Sequence, residues 1–392
     1  MVLKDKNILL CVTGSIACYK SIDLYRRLAR EGANVKIIVS ASAAKFISPY
    51  IFKSFGEDVF ADDAFKSPLA HIFLSKYADL ILIAPATYNT INKLACGIAD
   101  TLITLVVSAS LDKPKVMVPA MNPDMFAGKI LKDNINKLIG HNFRFVSPET
   151  GNTACGDFGE GKFPDINDIV FELESVFKEK TLKNRRVLIT AGATREYLDP
   201  IRFISNASSG KMGISLANEA VNLGADVSLI ALSIDTSCKY INKKVKITDC
   251  VGFNDLKETL TDKFKQCDIL FMAAAVSDYS FKEESPTKIK KTGKGLNIEL
   301  IQNEDLLKAI SRIKEKKQIV FGFAAETDDI IDNGRKKLIE KSLDYIFIND
   351  VSQNIIGGDE NEGFLIEKTG KVKRFERELK TTLAQKLLSE IN

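Results

Sequence analysis

The chain has 392 residues, 45% of them hydrophobic and 27% charged, with a formal net charge of +4. That length exceeds what one hydrophobic core organises, so two domains are expected; the small net charge leaves no footprint for nucleic acid, and no apolar run approaches the ~18 residues of a membrane span. Seven cysteines at irregular spacings, with no CxxC and only two histidines, argue against a zinc site or a disulfide framework and for a reducing cytoplasm, and Lys4, Asp5 and Lys6 interrupt the start where a secretory leader would need apolar residues.

Residues 7–13 read as a buried parallel strand by their continuous apolar run. Gly14-Ser15 makes a tight turn, Ile16 to Arg30 reads as a helix, and Asn34 to Ser40 as a second strand. This unit presents a helix N-terminus at the end of a strand, which is an anion site. The spacing is not GxGxxG, so a dinucleotide is poorly supported; a single phosphate, as on a flavin mononucleotide, and a glycine present only for the turn both fit the stretch. Asp79 to Ala84 is a further strand, ending in the loop Pro85-Ala86-Thr87-Tyr88-Asn89-Thr90. Asn92 to Gly97 reads as helical, and Lys115 to Val118 as a strand ending in Pro119-Ala120-Met121-Asn122-Pro123-Asp124-Met125. Three strand ends with small or polar loops point to one crevice. Asn122 is there either to hydrogen-bond a carboxylate or to make a local turn beside Pro123.

His71 is a lone histidine before an apolar run; such residues are more often structural, although the side chain suits acid–base work near neutrality. Cys155 lies in a stretch with four glycines between 151 and 161, which reads as a mobile flap rather than a core element. Cys11, Cys18 and Cys96 read as packing residues.

Gly14-Ser15-Ile16-Ala17, His71, the APATYNT stretch, PAMNPDM and ACGDFGEGK occur in the order typical of the flavin-containing cysteine decarboxylases, and the first half resembles that family. In that family a flavin mononucleotide oxidises the thiol of a terminal cysteine residue, and the resulting thioaldehyde lets the carboxylate leave as CO2. The resemblance implies His71 as base, Asn122 as carboxylate binder and Cys155 as acid. It implies flavin contacts at Gly14, Ser15, Ile16, Ser40, Thr87 and Ser108. Tyr88 stands where the family has a small residue, and Phe126 where a Trp commonly follows the Met.

The second half begins after a charged stretch, Lys178 to Asn184. Val187-Leu188-Ile189-Thr190 is a buried strand that breaks into Ala191-Gly192-Ala193-Thr194, and a long loop carries Ser208-Ser209-Gly210-Lys211. That run fails the P-loop test, because no Gly lies five residues before Gly210 and Met212 follows the Lys. Ile214 to Gly224 reads as a helix, and Asp226 to Leu232, Asp268 to Ala274, Gln318 to Phe321 and Leu343 to Ile348 as strands. Asp278 follows the third of these five second-half strands. Lys288-Ile289-Lys290-Lys291 is either a solvated surface or a grip for a nucleoside triphosphate. Lys337 and Lys341 lie one turn apart on a helix from Asn333 to Lys341. Phe364 to Ile391 reads as a hairpin-like pair and a closing helix.

GATREYLDPIRFISNASSGKMG, AAAVSDY, KIKK, GFAAET and NDVS, in this order, resemble phosphopantothenate–cysteine ligases of the CTP-using type fused behind a decarboxylase. The resemblance implies an acyl-cytidylate intermediate held by Asn206, with Lys288 on the triphosphate or the intermediate. It implies CTP contacts at Ala274, Asp278, Asn303, Glu304, Asp305, Leu306, Phe323, Lys337 and Lys341, and a magnesium ion accompanying the triphosphate, its protein ligands unassigned. Glu304 replaces the usual Pro. The resemblance therefore implies an α/β protein of two domains: a flavodoxin-like or Rossmann-like flavoprotein domain over 1–178, a linker over 179–184 and a Rossmann-like ligase domain over 185–392. The expected substrates are 4′-phosphopantothenate, cysteine and CTP, in a cytoplasmic homo-oligomer, a dodecamer by the same resemblance, with no nucleic-acid or membrane partner. A flavin-binding protein without catalysis and a nicotinamide oxidoreductase are the competing readings. His71, Asn122 and Cys155 count against the first, and the absence of a dinucleotide fingerprint against the second.

Overall fold

In the computed structural model, which describes residues 2–56, 58–63, 69–234, 240–291, 293, 295–350 and 357–391, the chain divides into two units, residues 1–178 and 179–392. Val351 and Ser352, the end of the NDVS stretch, lie outside the described residues.

In the first unit the apolar runs become strands β1 (Asn7–Val12), β2 (Asn34–Val39), β3 (Val59–Ala61), β4 (Leu80–Ala86), β5 (Lys115–Pro119) and β6 (Phe143–Phe145). They form one parallel sheet in the order β3-β2-β1-β4-β5-β6. This is the doubly wound Rossmann order, and its direction reverses between β1 and β4, so a crevice opens at their carboxyl ends. Side chains alternate across each strand. Ile8, Leu10 and Val12 pack on one face with Leu24 and Leu28 of the helix Lys20–Arg30, and Leu9 and Cys11 on the other with Leu74, Ile91 and Val106. Both faces are covered, which is why the strands read as unbroken apolar runs. An antiparallel hairpin, β7 (Glu149–Asn152) with β8 (Phe158–Lys162), follows the sheet.

The second unit repeats the order. Strands β9 (Arg186–Gly192), β10 (Arg195–Tyr197), β11 (Phe203–Ser205), β12 (Asp226–Leu232), β13 (Lys246–Cys250), β14 (Ile269–Met272), β15 (Tyr279–Phe281), β16 (Leu300–Gln302), β17 (Ile319–Glu326), β18 (Tyr345–Asp350), β19 (Glu360–Glu367) and β20 (Val372–Leu379) follow in sequence. The main sheet is β13-β12-β9-β14-β17-β18-β19-β20, parallel as far as β18 and antiparallel beyond it. Two small antiparallel pairs, β10–β11 and β15–β16, stand outside it. Its direction reverses between β9 and β14. The helix Lys211–Asn222 and the closing helix Lys380–Ser389 pack together, burying Leu216, Ala217, Leu383 and Leu387.

The structure departs from the expected reading at three places. The segment 179–184, expected as a linker, is fastened to the second unit: Leu182 is buried and its N–H donates to Leu223 O at 3.0 Å, while Lys180 Nζ donates to Asn222 O at 2.6 Å. Charge suggested a solvated tether, but Leu182 gives the segment an apolar anchor. A helix starts at Tyr88, inside the stretch read as a loop, because Thr87 caps it by accepting from Thr90 N. Cys96 is exposed, since it falls at the C-cap of that helix, past the last buried residue. The glycine-rich flap is a paired hairpin outside the main sheet. No helix among the described residues is long and apolar enough to cross a membrane.

Candidate active sites

In the first unit a cavity of about 490 Å³ opens at the carboxyl ends of β1 and β4. Thr13 ties the two ends together: its Oγ1 donates to Pro85 O at 2.6 Å and accepts from Thr87 N at 3.1 Å. Three helical segments begin at this cavity. Ser15 caps the short helical turn Ile16–Tyr19 by accepting from Ala17 N, Thr87 caps Tyr88–Ala95, and Thr101 caps Leu102–Ser108 in a capping box with Thr104. Free N–H groups at helix starts give the cavity a positive lean. Gly14 has to be glycine because a Cβ there would stand 2.3 Å from Ser42 Cβ. Asp62 also lines the cavity and accepts from Ile103 N at 2.8 Å; burial pushes its carboxyl above the usual carboxylate range.

Of the residues expected here, Gly14, Ser15, Ser40 and Thr87 line the cavity. Ile16 is exposed beside it and does not. Ser108 is exposed at the far end of the helix whose first turn lines the cavity, about 10 Å away at 1.5 Å per residue. Tyr88 is in the cavity wall and narrows it. His71 sits in the first turn of the helix Ala70–Tyr77, half-buried, outside the lining.

Asn122 and Cys155, 33 residues apart in sequence, are brought together. Asn122 caps the helix Pro123–Ala127 through its Oδ1, which accepts from Asp124 N at 2.9 Å, so its Nδ2 is left to other partners. Both sequence readings of Asn122, turn-maker and binder, are thus open to one side chain. The Nδ2 donates to Cys155 Sγ at 3.3 Å and to Asp157 Oδ2 at 2.7 Å. Glycines make this possible. A Cβ on Gly159 would lie 2.6 Å from Pro123 Cβ, and one on Gly161 2.4 Å from Met121 O; Met121 N donates to Gly161 O at 2.9 Å. Only a strand without side chains at those two positions lies this close to the Asn122 turn. Met121 and Met125, on either side of Asn122, line the cavity, which puts the pair at its rim.

In the second unit a cavity of about 570 Å³ lies at the carboxyl ends of β9, β14 and β17. The strand ends are tied as in the first unit: Thr190 Oγ1 accepts from Ala274 N at 3.1 Å, and Thr194 Oγ1 from Ser277 N at 2.9 Å. Gly192 has φ +95°, and a Cβ there would meet Leu232 O at 2.0 Å. Gly213 lets the helix Lys211–Asn222 press on β9, since its Cβ would lie 2.5 Å from Ala191 Cβ.

Asn206, Ala274, Asp278, Phe323, Lys337 and Lys341 all line this cavity, as do Glu304, Asp305 and Leu306. Asn206 Nδ2 donates to Val276 O at 3.0 Å, which fixes the plane of its amide. The lysines are held by carboxylates from other elements: Lys337 by Glu326, Lys341 by Asp305 at 2.8 Å and Lys211 by Asp359 at 2.6 Å. Burial raises the Asp305 carboxyl, but the hydrogen bonds from Lys341 Nζ and the Lys308 N–H outweigh it and its net shift is downward; Lys211 lowers Asp359. Glu304 pairs with Lys257 at 2.6 Å.

Two expected residues are not in the lining. Asn303 stands behind the wall, its Nδ2 donating to Ser277 O at 2.9 Å and its N–H to Asp278 O at 2.8 Å. Lys288 is exposed on the loop between β15 and β16. That loop is held by Asp199 and Arg202: Ile289 N donates to Asp199 Oδ2 at 3.1 Å, and Arg202 Nη2 to Ile289 O at 2.8 Å. Lys211, Asn361 and Lys380 line the cavity and were not expected there. A Lys directly after a helix-starting Gly signals the first; nothing local signals the other two, which arrive from the end of the chain.

Each half also matches a family model: residues 2–178 match Flavoprotein, and residues 182–392 match DNA/pantothenate metabolism flavoprotein, C-terminal domain. The fold is two-domain α/β, and the two family models place the chain among the flavoproteins of pantothenate metabolism. The chain is 39% identical over 400 residues to the coenzyme A biosynthesis bifunctional protein CoaBC of Bacillus subtilis, covering 99% of this chain and 97% of that one. It is 37% identical over 391 residues to the protein of the same name from Borreliella burgdorferi, covering 98% of each. A solved C-terminal domain of a CoaBC protein aligns at 33% identity with a TM-score of 0.47, over 54% of this chain and 96% of that one. The chain belongs to the family of bifunctional coenzyme A biosynthesis proteins, and it is an enzyme that combines a ligase with a decarboxylase.

Proposed function

We propose that the second unit joins cysteine to 4′-phosphopantothenate with CTP, through an acyl-cytidylate, and that the first decarboxylates the resulting 4′-phosphopantothenoylcysteine to 4′-phosphopantetheine. The observation that carries this is that Asn206, Asp278, Phe323, Lys337 and Lys341, spread over 136 residues of sequence, line one cavity at a sheet's switch point. Lys337 and Lys341 supply fixed positive charge for a triphosphate, exchanging Glu326 and Asp305 for phosphate oxygens. The Asn206 amide holds the acyl-cytidylate carbonyl, and donors aimed at the developing negative charge lower the barrier to attack by the cysteine amine. Lys288, exposed on the loop that Asp199 and Arg202 hold, offers a further positive charge to the triphosphate. Among the described residues no group of three His, Cys, Asp or Glu could hold a metal ion. A magnesium ion would ride on the triphosphate, whose oxygens are ligands it accepts readily.

The first cavity suits flavin mononucleotide by its donor chemistry, with hydroxyls and helix N–H groups for a phosphate and a strand-end crevice for a ring. Ser15, Ser40 and Thr87 would hold it. When bound, the flavin would supply the two-electron oxidation of the substrate thiol that lets the neighbouring carboxylate leave as CO2, and would return the same two electrons to the resulting ene-thiol, so that the saturated thiol forms with no outside reductant. The chain's own residues do the rest. Asn122 orients the substrate carboxylate, Cys155 donates a proton to the ene-thiol carbon and His71 takes the proton released earlier.

The test is to incubate the full-length flavin-loaded protein with 4′-phosphopantothenate, cysteine and CTP, following pyrophosphate and CO2. Both are expected. Cys155→Ser should stop formation of 4′-phosphopantetheine while pyrophosphate release continues. Loss of both in this variant would refute the division of labour, and yellow wild-type protein yielding neither product would favour flavin binding without catalysis.

A further inference from the structure

The amide read as the carboxylate binder and the thiol read as the acid already share a carboxylate, and it belongs to the chain. Asn122 Nδ2 donates to Asp157 Oδ2 at 2.7 Å, and Cys155 Sγ donates to the same oxygen at 3.2 Å. The Asn122 amide has two N–H groups. Its other close partner is Cys155 Sγ at 3.3 Å, so Asp157 and Cys155 between them engage the amide nitrogen. Asp157 is not a passing neighbour. Its backbone is pinned across the hairpin turn, where its carbonyl accepts from Thr153 N at 2.9 Å and from Thr153 Oγ1 at 3.0 Å. Thr153 Oγ1 also lies 3.0 Å from Cys155 Sγ. Among the described residues Asp157 makes no ion pair, so the amide and the thiol are what its side chain answers to.

We propose that Asp157 is a placeholder for the substrate carboxylate, a further residue of the decarboxylation site that occupies Asn122 until substrate displaces it. The proposal rests on the decarboxylase reading above. An arriving carboxylate cannot use the Asn122 amide while Asp157 holds it, and two carboxylates on one amide repel. Substrate binding is therefore an exchange of one carboxylate for another. The exchange also releases the Cys155 thiol from Asp157, so that it turns toward substrate only when a carboxylate is in place. Asp157 acts through Asn122 and Cys155 and does not touch the reacting bonds. Its removal should tighten binding of any ligand bearing the carboxylate and leave a ligand without it unchanged.

The experiment uses the full-length flavin-loaded enzyme and two ligands whose sulfur is methylated, so that neither reacts: S-methyl-4′-phosphopantothenoylcysteine, and S-methyl-4′-phosphopantetheine, which lacks the carboxylate. Binding is read from the flavin absorbance, which reports the first unit's site alone. Asp157→Asn and Asp157→Ala should bind the first ligand about tenfold more tightly than wild type, the factor that 1.4 kcal/mol represents. The second ligand should bind all three alike. Adding Asn122→Ala to Asp157→Ala should erase the gain. Unchanged or weaker binding of the carboxylate ligand overturns the proposal, and so does equal tightening of both ligands, which would mark a loosened flap. A wild-type enzyme that binds neither ligand overturns the decarboxylase reading and this proposal with it.

Discussion

At Gly161 the backbone sits at φ +152°, where a side chain is strained, and a Cβ would stand 2.4 Å from Met121 O. The carbonyl is main chain and cannot swing away. Gly161→Ala should therefore lift β8 off the Asn122 turn, at a cost of about 1–3 kcal/mol, and separate Cys155 from Asn122. Decarboxylation should fall while pyrophosphate release persists, with thermal unfolding reporting the stability loss. At Asp199 the same scale gives a pH prediction. Its carboxyl is held well below the usual range, first by the Arg202 guanidinium and then by the N–H groups of Arg202, Ile201 and Ile289. A depressed carboxylate contributes above its unfolded value, near 3.9, and is lost only as pH falls through the lower folded value. From pH 5 to 8 the Ile289 amide should keep a constant protection against hydrogen exchange, corrected for the unfolded rate. Asp199→Asn should lower it equally across that window. A difference between the two that changes from pH 5 to 8 would assign the protection to another group. Residue identities such as Asn122 and Cys155 were legible in sequence as motif members. Their meeting was not, because it depends on two glycines whose need is steric and on a partner, Asp157, that carries no spacing signal.

The elements were more readable than their neighbours. Strands buried on both faces announce themselves as apolar runs, which is why β1, β4, β5, β9 and β12 were read within two residues of their ends. Short elements were not: β10, β11, β15 and β16 have three residues each and no periodicity to read. The first turn of the Tyr88 helix was missed, although the chain from Asn92 was read as helical, because a Pro-Ala-Thr stretch resembles a loop until Thr87 is recognised as its cap. The segment 179–184 is instructive. Charge dominated its reading, yet Leu182, 3% exposed, docks it to the second unit. A chain beginning at Glu179 should accordingly keep ligase activity and the stability of this unit, whereas one beginning at Asn184 should be less stable. Leu182→Ala in the full chain should cost about 2–5 kcal/mol by the loss of a buried side chain. Equal melting temperatures for the two shortened chains would show that the docking contributes nothing.

Across the whole molecule the same sheet order occurs twice, and each sheet places its cavity where the order reverses, between β1 and β4 and between β9 and β14. The two strand-end ties, Thr13 to Thr87 and Thr190 to Ala274, repeat as well. What differs is the charge around the cavities: one has hydroxyl caps, a half-buried Asp62 and one carboxylate-paired lysine, Lys93, the other three such lysines. Among the described residues, each cavity is lined by residues of its own unit. The two reactions should therefore be separable in trans. Asn206→Asp should fail to form 4′-phosphopantothenoylcysteine but decarboxylate it when supplied, and Cys155→Ser should do the reverse. Mixed after separate purification, the two variants should form 4′-phosphopantetheine from 4′-phosphopantothenate, cysteine and CTP, after a lag that shortens as the second site's concentration rises. A lag is required because the intermediate must leave one chain and find another. If the mixture makes no product while each variant keeps its single activity, the intermediate does not leave the chain that made it, and separability in trans is refuted.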